Sequence, residues 1–178
     1  MELIRRAVPA DIPQVAGIYD RIHTEEESGR AVIGWVRGVY PTEQTARDAL
    51  EAGELFVLEE DGKVAAAAKI NQEQVPEYAG AQWACPDAPP EKIMVLHTLV
   101  VDPLCEGKGC GTRFVKFYED YALERGCPYL RMDTNERNAA ARRLYAGLGY
   151  REAGIVPCTF NGIGGVQLVC LEKTLANS

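Results

Sequence analysis

The junction between Ile93 and Thr112, where an apolar run meets a glycine-rich loop, constrains this chain more than any other stretch. Ile93 to Val101 is nearly all apolar, the pattern of a central strand covered on both faces. One polar residue, His97, interrupts it, with Thr98 beside it. Asp102-Pro103 ends the strand, and Leu104-Cys105-Glu106-Gly107-Lys108-Gly109-Cys110-Gly111-Thr112 leads into a helix. Phe114, Phe117, Tyr118 and Tyr121 mark the buried face of that helix, and Gly126 with Pro128 marks its end. The first amides of a helix have no internal partner, and the helix dipole adds positive character there. Glycines at 107, 109 and 111 let the backbone approach an anion without side-chain interference. A phosphate or pyrophosphate fits this chemistry, and a plain strand-to-helix turn remains the alternative.

Two familiar phosphate loops fit poorly. A nucleotide-triphosphate loop needs Gly-Lys-Ser/Thr after four spacer residues, which the segment lacks. A dinucleotide loop needs a third glycine three positions after the second. Thr112 and Phe114 stand where the two candidate registers would require it.

The chain has 178 residues, enough for one domain spanning 1–178 with a substantial core. Hydrophobic residues make up 47% and charged residues 25%, a globular profile. A net charge of -7 does not attract nucleic acid or an anionic membrane through the overall field. No apolar run is long enough to span a bilayer, and Met1 to Arg6 lacks the order of a signal peptide, so the expected location is cytoplasmic. None of the six cysteines forms a Cys-x-x-Cys pair, and His23 and His97 are far apart, so no metal site is expected. Reduced thiols fit better than a disulfide framework in a core of this size.

Elsewhere the chain alternates short strands and helices. Leu3 to Arg6 reads as a first strand, and Asp11-Ile12-Pro13-Gln14 as a helix start with Asp11 capping and Gln14 at the capping-box position. Residues 25 to 40 look irregular, and a second helix runs from Thr42 to Ala52. Leu55 to Glu60 and Val64 to Ile70 form a hairpin around Asp61-Gly62. Gln74 to Glu91, rich in proline, is a long loop of the kind that often carries function. Tyr129 to Thr134 is a strand, Asn135 to Leu148 a helix closed by Gly149, and two last strands run near Tyr150 to Phe160 and Val166 to Lys173. The pattern is mixed α/β.

A second feature lies on that last helix. Asn138 and Tyr145 are seven residues apart, two turns on one face, and a tyrosine there could give a proton to a departing thiolate. Packing of Tyr145 with Ala141 and Leu148 is the plainer alternative. Together the two features resemble the GNAT family, the GCN5-related N-acetyltransferases. Their loop pattern is Gln/Arg-x-x-Gly-x-Gly/Ala, matched by Gly109 and Gly111, and their later pattern is filled by Asn138, Tyr145, Gly149 and Tyr150. The resemblance covers about Met94 to Glu152. It implies a mixed, mostly antiparallel central sheet flanked by helices, and acetyl-coenzyme A as co-substrate. It implies that Glu106, Gly107, Lys108, Gly109, Cys110, Gly111 and Thr112 surround the pyrophosphate. Main-chain groups of Leu99, Val100 and Val101 would pair with the pantetheine arm, Asn138 would bond to it, and Tyr145 would be the general acid. Glu106 departs from the family's Gln or Arg, which places coenzyme A affinity in question.

Many members of the family place a glutamate on the strand before the loop; His97 stands at the matching position as a candidate base, its ordinary pKa near ~6.5 suiting the task. A hydrogen-bonded core histidine is the alternative. The family's acceptor commonly lies near segments that correspond to 25–40 and 74–91. These hold Trp35, Tyr40, Tyr78 and Trp83 with Glu25, Glu26, Glu27, Glu73, Glu77, Asp87 and Glu91, a set suited to a cationic amine. The expected reaction is acetyl transfer to a small-molecule amine. A peptide acetyltransferase and a non-catalytic acyl-coenzyme A sensor remain alternatives. Members of the family are often dimers, so a homodimer is also an expectation.

Overall fold

The computed structural model describes residues 1–176; the last two residues of the expected domain 1–178 lie outside the described residues. Among the described residues, seven strands and four α-helices follow in the order β1 (Glu2–Arg6), α1 (Ile12–Glu27), α2 (Glu43–Glu51), β2 (Leu55–Glu60), β3 (Lys63–Asn71), β4 (Ile93–Val101), α3 (Cys110–Glu124), β5 (Tyr129–Asn135), α4 (Ala139–Gly147), β6 (Arg151–Phe160) and β7 (Ile163–Thr174). The sheet order is β1-β2-β3-β4-β5-β7-β6. β1–β2, β2–β3, β5–β7 and β6–β7 are antiparallel, and β4–β5 is parallel. This is the mixed α/β, mostly antiparallel architecture expected from the sequence.

The chain divides into two compact units. The first holds Met1–Ala31, Trp35–Ile70 and His97–Phe117. Its core is laid down by α1, where Ile12, Val15, Ile18, Tyr19 and Ile22 are buried at helical spacing. Removing the fully buried Ile18 side chain to alanine would cost about 2–5 kcal/mol. Phe56 of β2 meets Phe117 of α3, with ring centroids 5.7 Å apart. The β2–β3 turn is the two residues Asp61 and Gly62, both at positive φ (52° and 80°), which matches the strands' own twist.

The second unit holds Val32–Gly34, Asn71–Leu96 and residues 118–176. Its apolar core gathers Tyr78, Trp83, Ile93, Val95, Val156, Leu168 and Cys170, among others. Tyr118 is fully buried, and its hydroxyl donates to Met94 O at 2.6 Å, satisfying the one polar atom it brings inside.

Local chemistry shifts several expected boundaries. Asp11 does not cap α1: its carboxylate accepts from Arg5 (2.7 and 3.1 Å) and from Val8 N (2.8 Å). A guanidinium is a stronger partner than a helix amide. Gln14 Oε1 accepts from Val64 N at 2.9 Å rather than completing a capping box. α1 continues to Glu27, so Glu25, Glu26 and Glu27 are helical. The helix expected from Asn135 begins at Ala139, because β5 runs on to Asn135 in register with Leu168. The final hairpin turns on Asn161 and Gly162 alone (φ 50° and 85°), so β7 starts at Ile163, earlier than Val166.

Candidate active site

In the first unit, β4 gives way to the glycine loop at Asp102, which is 5% exposed. Arg21 of α1 donates to Asp102 Oδ1 at 2.9 Å and to Oδ2 at 2.7 Å. Leu104 N donates to Oδ1 at 3.0 Å, and Asp102 N donates to Ala65 O at 2.8 Å. The post from which the loop departs is thus tied to α1 and to β3 by charge-assisted and backbone bonds.

Beyond a short turn at Pro103–Cys105, Gly107 and Gly109 adopt φ of 82° and 75°, a region that side chains rarely enter. A Cβ on Gly109 would also meet Arg113 Nη1 at 3.3 Å. Arg113 N donates to Gly109 O at 3.1 Å, so the amides of Cys110, Gly111 and Thr112 precede the helical ladder. Arg113 Nη1 donates to Lys108 O at 2.5 Å, which lays a guanidinium along the loop. Cys110 is buried, and burial raises its thiol pKa. Glu106 is exposed. The loop therefore offers three helix-start amides, left-handed glycines and the exposed Lys108, a donor set for an anion, while the Arg113 guanidinium is paired with Glu2 and Glu60.

His97 and Thr98, on β4, are half-buried, as are Leu99 and Val101; Val100 is buried. β4 pairs with β5 from Ile93↔Tyr129 to Leu96↔Met132. Two residues further on, Thr98 has φ 51°.

In the second unit, Tyr145 of α4 is buried and its ring lies edge-on to Tyr150 at 6.0 Å. Burial, helped by the charge of Asp133, pushes the Tyr145 phenol well above the usual tyrosine range, so it keeps its proton at neutral pH. Asn138 caps α4, with Oδ1 accepting from Ala141 N at 3.1 Å. The cap takes up Oδ1 and places Asn138 just ahead of the helix, not on the helical face expected for it.

One group escaped sequence reasoning. Asp133 on β5 accepts from the Tyr78 hydroxyl at 2.6 Å. Burial pushes its carboxyl up to about 6, against the pull of that hydrogen bond, with the Glu77 charge adding to the rise. Cys158 and Cys170 lie in the same acidic surroundings, their thiols raised by burial to about 11 and about 12. Strand alternation holds the available signal, since it puts Arg131 and Asp133 on one face of β5.

The expected acceptor segments are partly committed inward. Trp83 is buried, its Nε1 donates to Tyr78 O at 2.8 Å, and the Arg131 guanidinium lies 4.3 Å from its ring centroid. Tyr78 is buried too. Glu25 pairs with Arg30, Glu27 pairs with Arg37, and Glu26 accepts from Trp35 N at 3.1 Å, so these carboxylates organise their own loop. Trp35 and Tyr40 meet edge-on at 5.9 Å. Among the described residues, no group of three or more His, Cys, Asp or Glu could hold a metal ion. No helix of the described residues is long and apolar enough to cross a membrane.

A mixed, mostly antiparallel sheet whose fourth strand feeds a glycine-lined helix start defines the α/β class of this protein. The family model described as "Acetyltransferase (GNAT) family" matches residues 18–150, and the chain belongs to that family. It is 37% identical over 62 residues to the uncharacterized N-acetyltransferase YhfO of Bacillus subtilis (strain 168), a match covering 35% of this chain and 42% of that protein. The chain thus spans less than half the length of that relative. The GNAT-family acetyltransferase of Streptococcus agalactiae superposes with a TM-score of 0.81 at 22% identity, covering 99% of this chain and 96% of that one. The structure of yncA from Salmonella typhimurium with its cofactor acetyl-CoA superposes with a TM-score of 0.69 at 21% identity, covering 99% of this chain and 95% of that one. Both likenesses bear on the fold. The family and architecture expected from the two motifs are therefore borne out.

Proposed function

We propose that this chain is an N-acetyltransferase that moves an acetyl group from acetyl-coenzyme A to the primary amine of a small molecule. The observation that carries the reading is the loop from Gly107 to Thr112, where left-handed glycines and helix-start amides are set beside Lys108 and Arg113. These residues fit a pyrophosphate: the glycines let it approach, the amides of Cys110, Gly111 and Thr112 donate to it, and Lys108 adds positive charge, Arg113 being already paired with Glu2 and Glu60. Bound there, acetyl-coenzyme A supplies an acyl thioester, which an amine attacks readily.

The chain's own residues do the rest. Main-chain groups of Leu99, Val100 and Val101 pair with the pantetheine arm, and Asn138 contributes its side-chain NH₂, since its oxygen is occupied by Ala141 N. A protonated amine has no lone pair to attack with, so His97 takes its proton. Tyr145, which holds its own proton firmly, delivers it to the departing sulfur. The 74–91 segment folds Tyr78 and Trp83 inward and is pinned to β6 by the Gln82 N to Ala153 O bond of 2.8 Å. That packing favours a compact acceptor over an extended peptide.

Melting temperatures measured with coenzyme A, acetyl-coenzyme A, ATP and NAD test the loop assignment, because a ligand that binds only the native state raises the transition by mass action. A rise with the two coenzyme A compounds alone supports it. Thiol release from acetyl-coenzyme A across a panel of small amines and peptides then tests the acceptor class. No response to either coenzyme A compound removes the reading.

A further inference from the structure

Thr98 is a β-branched residue at φ 51°, a conformation such residues seldom adopt unless their surroundings hold them in it. It stands where β4 changes character, from the fully buried Ile93–Leu96 to the half-buried His97, Thr98 and Leu99. A left-handed residue inside a strand bends it and re-aims its neighbours. The neighbours here are His97 on one side and the Leu99–Val101 backbone on the other.

The group that meets Thr98 comes from the 35–40 loop: the Tyr40 hydroxyl is hydrogen-bonded to Thr98 Oγ1. Tyr40 is itself well held. Its ring abuts Trp35 edge-on at 5.9 Å, and its amide donates to Val36 O at 3.0 Å. Trp35 N is anchored to Glu26 of α1, and the next residue, Pro41, accepts from buried His23 Nε2 at 2.9 Å. The loop is fastened to α1 on both sides of Tyr40, and the hydroxyl is the point at which it clasps β4.

We infer that Tyr40 is a positioning residue, whose hydroxyl holds Thr98 in the left-handed bend that aims His97 and the Leu99–Val101 backbone. The inference rests on the proposed use of that backbone to bind the pantetheine arm. It makes the 35–40 loop a determinant of acyl-donor affinity as well as a wall near the acceptor.

Glycine separates this clasp from ordinary packing, because it takes positive φ without a Cβ penalty. The test is the dissociation constant of coenzyme A, measured by calorimetry, alongside melting temperature, for Tyr40→Phe, Thr98→Ala, Thr98→Gly and the double variant Tyr40→Phe/Thr98→Gly. Tyr40→Phe and Thr98→Ala lose the clasp while keeping the Cβ strain, so both weaken binding roughly tenfold. Thr98→Gly stays within about threefold of the parent, and adding Tyr40→Phe to it changes nothing further. Equal weakening by Thr98→Gly and Thr98→Ala, or an unchanged constant in Tyr40→Phe, overturns the inference. If the unsubstituted protein binds no coenzyme A, the proposed function falls and this inference falls with it.

Discussion

The Tyr78 hydroxyl donates to Asp133 Oδ2 at 2.6 Å, joining a 3-10 turn of the 74–91 segment to the middle of β5. Register places Asp133 opposite Cys170 on β7, so the carboxyl is flanked by a thiol and a phenol and by no cation. Among the described residues no ion pair is formed by Asp133, whereas buried Asp11 and Asp102 each meet an arginine. A carboxylate kept without a counter-charge destabilises the fold.

That arrangement gives a signed pH dependence. The Asp133 carboxyl sits at about 6 in the folded chain against an ordinary 3.8. Between those values the folded state binds more protons than the unfolded one, so stability falls as pH rises through the window and stays lower above it. At about 1.4 kcal/mol per unit the loss is about 3 kcal/mol. Asp133→Asn is expected to raise the melting temperature by several degrees at pH 8 and to leave it unchanged at pH 4. A melting temperature that drops equally at both pH values would contradict the assignment.

Arg21 governs the loop at a distance. Its two bonds to Asp102 are the charged part of the post from which the glycine loop departs. Arg21→Ala leaves a buried carboxylate with only Leu104 N for support, and Arg21 itself is half-exposed, so about 1–3 kcal/mol of stability should be lost. The KM for acetyl-coenzyme A should rise several-fold while kcat for bound substrate changes little. Arg21→Lys supplies charge without the two-pronged geometry and should recover only part of the affinity. Equal losses in kcat and in kcat/KM would place Arg21 in the chemistry instead.

How far the sequence reaches is clear from individual residues. The apolar Ile93–Val101 run and the glycines that follow it announced β4, the loop and α3, because local backbone requirements dictate them. The start of α4 was harder: Asn135 and Asn138 can both cap a helix, and pairing of Asn135 with Leu168 of β7 decides between them. Strand alternation puts Asp133 on one face of β5 but does not reveal its partner, since the phenol that bonds to it lies 55 residues away in sequence. Composition likewise grouped Tyr78 and Trp83 with the acceptor aromatics, whereas packing turns both inward. The arginines that answer Glu25 and Glu27 appear only once the loop closes.

Glu106 is the one charge on the loop that opposes a pyrophosphate. It is exposed, as is Lys108 two residues on, while Arg113 bonds to the loop carbonyl of Lys108 and is paired with Glu2 and Glu60. Glu106→Arg exchanges repulsion for attraction, so the dissociation constant for coenzyme A should fall several-fold at low ionic strength. Because the site faces solvent, most of that gain should vanish by about 0.5 M salt. A gain that ignores salt, or no gain at all, would mean the side chain points away from the bound anion.

Tyr145 separates proton donation from packing. Its ring is buried against Tyr150, and phenylalanine keeps that ring, so Tyr145→Phe should leave the melting temperature and the KM for acetyl-coenzyme A close to the parent values. If the phenol delivers a proton to sulfur, kcat should fall about 10²–10⁴-fold. The pH profile adds a second check. Burial and the Asp133 charge hold the phenol's pKa far above neutrality, so Tyr145 remains a donor throughout pH 6 to 9 and contributes no alkaline limb there. Acyl donors whose leaving thiolate is already stabilised, such as an aryl thioester of low thiol pKa, should be far less sensitive to the substitution. A variant that slows acetyl-coenzyme A and such an aryl thioester equally would assign Tyr145 to shaping the pocket, not to moving the proton.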